Sequence, residues 1–179
     1  MEEDGRRRVE PMRKWFDKPH LLRQPGVLDA VLRGLSVEWT QNVDEWVAQD
    51  VTNHLFQSAK RDHGFDLISL NLWRGRDHGL GGYTQYRKLC GLPPVATFQQ
   101  LTAFMNPRVV HKLSILYRSV DEVDLYMGGL LEYHLPNSVL GPVFSCIIGD
   151  QFARLKEGDR FFYENGGQPH SFTPRKSQF

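Results

Sequence analysis

The sequence predicts a mainly α-helical fold with long connections. Three observations carry that prediction: apolar residues recur at three- and four-residue spacing in several separate segments, Gly or Pro marks the segment ends, and alternating β-branched runs are nearly absent. The 179 residues lie within the range of one domain, and 40% apolar with 24% charged is the composition of a globular chain.

Residues 1–26 are dense in charge and interrupted by Pro11, Pro19, Pro25 and Gly26, which predicts a solvated, loop-rich segment. The arginines at 6–8 could bind phosphate, but Glu2, Glu3, Asp4 and Glu10 surround them and favour a solvated surface. Over 27–34, Val27, Leu28, Val31 and Leu32 share one helical face, with Leu35 in phase and Gly34 as the stop signal. A longer helix is predicted over about 44–60 from Trp46, Val47, Val51 and Leu55, ending before Gly64. Further helices are predicted at 65–76, 83–89, 106–118 and 123–131. The last, over 144–155, follows Gly141-Pro142, where proline suits a first helical turn.

Lys plus Arg at 22 against Asp plus Glu at 21 gives a formal net charge of +1, so no overall field marks a nucleic-acid or membrane-surface binder. The longest uncharged stretch, 135–149, is too short for a bilayer and contains Pro142, and the charged first ten residues do not resemble a signal peptide. Seven histidines occur without a close His pair or a nearby Cys, which argues against zinc. Gly-x-Ser-x-Gly, Walker and dinucleotide motifs are absent, and Arg-Asp-His-Gly at both 61–64 and 76–79 is a chance identity rather than a repeat.

The informative stretch is Asn71-Leu72-Trp73-Arg74-Gly75-Arg76-Asp77-His78-Gly79. On a helix Asn71 and Arg74 share one face, beside the apolar face of Leu70 and Trp73. Burial without partners would cost roughly 1–3 kcal/mol for the amide and more for the charge. Each therefore needs an acceptor, either a protein carbonyl or carboxylate such as Asp66 or Asp77, or a group outside the helix.

Residues 66–80 closely resemble the Asn-x-x-Arg-x-Arg-Asp-His-Gly signature of the animal haem peroxidases. Four more blocks resemble the same family in the same order: Tyr83-x-x-Tyr86-Arg87-x-x-Cys90-Gly91-Leu92-Pro93; Val123-Asp124-Leu125-Tyr126-Met127-Gly128-Gly129; Gly141-Pro142 leading to Cys146-Ile147-Ile148-Gly149-x-Gln151-Phe152; and Leu155-x-x-Gly158-Asp159-Arg160-Phe161-Phe162-Tyr163-Glu164-Asn165. The resemblance covers about residues 13–165. It implies the carboxy-terminal portion of an all-helical catalytic domain at 27–165, with 166–179 a tail that stops before the family pattern does.

The resemblance also implies roles. Asn71 matches the asparagine that accepts the Nδ1–H of the proximal histidine on haem iron, fixing its tautomer and ring plane. Arg74 matches an arginine on the haem side, where a propionate would satisfy its charge. His78 matches a structural histidine, capped and hydrogen-bonded at a helix end, not an iron ligand. Cys90 and Cys146 stand in blocks where some members carry a disulfide; two buried thiols remain the alternative.

In the longer parent, the cofactors implied are haem b and calcium, and the reactants are hydrogen peroxide and a small donor: halide, phenol or tyrosyl. Roles in oxidative stress, defence or matrix cross-linking follow from the family, as does an extracellular or secretory location. The proximal His and the distal His and Arg have no match among His20, His54 or His63. The expectation is therefore a fragment, with Met1 an internal methionine, inactive and without stably bound cofactor on its own. The missing upstream part of the domain would be its partner; no nucleic-acid or membrane partner is expected. The alternative is a truncated, catalytically dead paralogue kept as a binding or interaction module.

Overall fold

The computed structural model describes residues 2–3, 6–7, 11–169 and 171–172. The loop reading of the remaining positions up to 10, and the tail reading at 170 and 173–179, fall outside the described residues.

The architecture is mainly α. A two-residue antiparallel pair, β1 (Glu2–Glu3) and β2 (Arg6–Arg7), and 3-10 turns at Met12–Lys14 and Pro19–Arg23 lie in the segment read as loop. Then come α1 (Val27–Val37), α2 (Gln49–Thr52), α3 (Leu67–Asp77), α4 (Tyr83–Leu89), α5 (Phe98–Leu101), α6 (Pro107–Leu116), α7 (Leu125–Leu131) and α8 (Pro142–Gly158). The sequence did not foresee α5, which Thr97 caps by accepting from the Gln100 N–H. Helix α1 runs past the expected stop at Gly34, since glycine inside an exposed helix costs only about 1 kcal/mol.

The long helix expected over 44–60 is not formed; only α2 is helical there. Ala48 is extended, Phe56 takes a left-handed conformation at φ 51°, and the chain turns back so that Leu55 bridges Phe65. The Phe65 N–H donates to the Leu55 carbonyl at 2.8 Å and the Gly64 N–H to that of Asn53 at 2.6 Å. Trp46 is 76% exposed. Leu55 is buried and Val47 and Val51 are half-buried, so the stripe packs in part, but from an irregular chain and not from one helix face.

The core lies in the second half of the chain. Tyr83, Val95, Leu101, Met105, Val109, Val110, Leu113, Val120, Val123 and Val143 form one buried cluster drawn from α4 to the start of α8. Among the described residues before Tyr83, only Val27 and Leu55 are buried apolar residues. Helix α7 approaches its neighbours closely because of Gly128 and Gly129, where a Cβ would collide with the rings of Tyr83 and Phe144 respectively.

At the centre is a buried polar knot. Arg87 donates through Nη1 to Glu132 Oε1 (2.9 Å) and to the Tyr83 hydroxyl (3.1 Å), and through Nε and Nη2 to the Pro93 carbonyl (3.2 and 3.0 Å). Tyr83 donates to Glu132 Oε1 at 2.6 Å, while Oε2 accepts the Val143 N–H at 2.8 Å. One carboxylate thus joins α4 to the first turn of α8. Burial, reinforced by the Glu132 hydrogen bond, holds the Tyr83 phenol well above the usual tyrosine range.

Candidate functional site

Helix α3 carries the two residues singled out from the sequence. Asp66 starts it by accepting the N–H groups of Ile68 (2.9 Å) and Ser69 (3.3 Å) and the Ser69 hydroxyl (3.0 Å). That carboxylate is occupied at the helix end, so it does not partner Asn71 or Arg74. Asp77 does not pair with Arg74 either: among the described residues the side chain of Arg74 has neither a carboxylate partner nor a hydrogen bond. Its recorded neighbour is the Trp73 ring, 6.0 Å away.

The expectation of a buried acceptor for each group is not met among the described residues. Asn71 is half-buried and Arg74 exposed. The Asn71 carboxamide has no hydrogen-bond partner among the described residues, yet no buried side-chain nitrogen or oxygen there lacks one, so the carboxamide is open to solvent. Both side chains line one cleft of about 990 Å³, between α3, the end of α6, and the start of α7. Leu72, Leu80, Leu116, Leu125, Tyr126 and Phe144 give it apolar and aromatic walls.

The same cleft holds a cluster that local sequence reading missed. Arg76 donates to Asp124 through Nε (2.9 Å to Oδ1) and Nη2 (2.7 Å to Oδ2), and the Tyr117 hydroxyl donates to Oδ2 at 2.7 Å. The Arg76 hydrogen bonds hold the Asp124 carboxyl below the usual carboxylate range. Burial, then the hydrogen bond to Asp124, pushes the Tyr117 phenol up to about 12. Arg76 and Asp124 each stand in quoted motif blocks, but a contact across 48 positions has no local signature.

His78 also lines the cleft. It closes α3 as expected, its backbone N–H donating to the Arg74 carbonyl at 3.0 Å, but the imidazole, expected to be hydrogen-bonded, is exposed and without a hydrogen bond among the described residues. Cys90 and Cys146 form a disulfide that ties the end of α4 to α8. Among the described residues, no three His, Cys, Asp or Glu side chains gather as a metal site. No helix of the described residues is long and apolar enough to cross a membrane.

An amide and a guanidinium without protein partners among the described residues thus stand at one open cleft, beside apolar and aromatic residues and the Arg76–Asp124 pair. The chain belongs to the animal haem peroxidase family, whose model matches residues 2–178. It is 42% identical to thyroid peroxidase of Sus scrofa over 160 residues, covering 88% of this chain and 17% of that protein. Chorion peroxidase of Drosophila melanogaster is 40% identical, over 89% of this chain and 19% of its own length. Among solved structures, peroxidase A from Dictyostelium discoideum superposes with a TM-score of 0.71 at 39% identity, covering 83% of this chain and 28% of that one. The chain thus spans less than a fifth of these two curated relatives.

Proposed function

We propose that this chain supplies one wall of the haem pocket of a peroxidase, and that the remaining walls come from catalytic-domain sequence that the 179 residues do not include. The observation that carries this reading is the pair of polar groups without partners among the described residues, Asn71 and Arg74, lining the same part-apolar cleft. A haem fits those residues: its ring is apolar and flat, and its propionates are the acceptors that a lone guanidinium lacks.

In this reading the Asn71 carboxamide oxygen accepts the Nδ1–H of an imidazole from outside the chain, fixing its tautomer and ring plane. Arg74 pairs with a propionate. With a haem bound, the leucines, Tyr126 and Phe144 would supply the apolar part of its lining. Haem, when bound, supplies the electron transfer by which peroxide oxidises a halide, phenol or tyrosyl donor. The disulfide supports assignment to the secretory pathway, since such bridges persist in oxidising compartments.

Large exposed apolar side chains favour this reading over a self-sufficient binding module. Trp39 is 96% exposed, Leu116 75% and Leu35 74%, as expected of surfaces that pack on further helices. Titrating the 179-residue chain with haemin tests the proposal: the expected result is no stoichiometric histidine-ligated Soret band and no peroxide turnover. A sharp one-to-one band with turnover would overturn it.

A further inference from the structure

Asp124 occupies the N-cap position of α7 with extended backbone, φ −57° and ψ 141°, yet accepts no N–H from that helix. An Asp at that position ordinarily caps, a contact worth about 1 kcal/mol. Here both carboxylate oxygens are engaged elsewhere, by the two-pronged Arg76 contact from α3 and by Tyr117, the residue that closes α6. A local rule set aside for a tertiary contact points to a functional constraint at that place.

Helix α3 shows what that constraint is. None of its eleven residues is fully buried; Ile68, Asn71, Leu72 and Gly75, at helical spacing, are half-buried and turn one side inward without enclosing a side chain. It rests mainly on α7, with a lighter contact to α2. Asp66 caps its start from within the same segment, whereas Arg76, near its end, ties it to Asp124 at the start of α7. Asn71 and Arg74 precede that tie on the same helix, and the two-pronged guanidinium–carboxylate fork has a defined planar geometry.

We propose that Asp124, acting through Arg76, is a positioning residue that sets the roll of α3 and thereby directs the Asn71 carboxamide and the Arg74 guanidinium into the cleft. Its consequence for peroxidase chemistry rests on the haem-facing reading of those two residues. The orientation itself does not.

The test uses the haem-free 179-residue chain labelled with nitrogen-15, the Asn71 carboxamide signals being assigned from their loss in N71D. In D124A those signals are expected to move by more than a line width and the Arg74 Nε–H signal to broaden, while the Val143 amide, bonded to Glu132, stays in place. R76K keeps the charge but loses the fork, and is expected to move the Asn71 signals in the same direction. If D124A does not fold, R76K decides. Asn71 signals that stay in place in a folded variant overturn the proposal, even if the melting temperature falls, because the pair would then be only a clip. A failure here concerns the orientation of α3, whereas the haemin titration judges the haem-facing reading separately.

Discussion

Single residues decide two buried or half-buried networks that respond differently to change. Arg87 is 1% exposed, and replacing it with Ala leaves Glu132 charged and enclosed; the expected loss is about 3–5 kcal/mol, measurable by urea unfolding. Asp124 and Tyr117 give pH signatures of opposite sense. The Asp124 carboxyl is held low by Arg76, so its share of stability is full above the ordinary Asp value of 3.8 and is lost as pH falls through its lower native value. Tyr117 is raised, so its share is full below the ordinary value of 10.0 and is lost as pH rises through about 12. Carbon-13 titration of the tyrosine rings is expected to show this late ionisation, moved to lower pH by D124A because one of its causes is removed. Asn71 and Arg74 were legible as a pair because both lie on one face of one helix. Asp124 was not, because its partner is 48 positions away and its place before α7 reads as an ordinary cap.

From α4 to α7 the helices read from an apolar period are those whose period enters the core, whereas α1 is helical with most of its apolar side chains exposed. The segments read at 83–89, 106–118 and 123–131 became α4, α6 and α7, since Tyr83, Val109, Val110 and Leu113 enter the core and Gly128 admits close packing. Residues 44–60 carry a similar period but form little helix, because burial depends on what stands opposite and that is not written in a local window. The same reasoning separates α3 from α6. With no buried side chain, α3 is expected to exchange its amide hydrogens faster than α6, whose Val109, Val110 and Leu113 are enclosed; hydrogen exchange read by mass spectrometry checks the order. The resemblance implied the Cys90–Cys146 bridge while two thiols stayed open as an alternative, and the structure joins them. Replacing both cysteines with serine is expected to cost about 4 kcal/mol in the chain-entropy model, read from thermal or urea unfolding.

As a whole, the molecule has one interior and much unsatisfied exterior. Trp39, Trp46, Leu35, Val37, Leu116 and Phe152 are all more than 60% exposed, which is costly for a chain standing alone. Concentration-dependent self-association in size exclusion is therefore expected of the isolated chain, and a monodisperse monomer at high concentration would count against the incomplete-domain reading. The disulfide gives the interior a mechanical property. Its 56-residue span encloses every member of the buried cluster except Tyr83. Tension applied at the two chain ends would pass from Cys90 to Cys146 through the sulfurs and leave the enclosed segment slack. About 200 Å of extensible chain would stay hidden from the pulling force until a reductant opened the bridge. The part of the chain that holds the fold together is then the part that stretching reaches last.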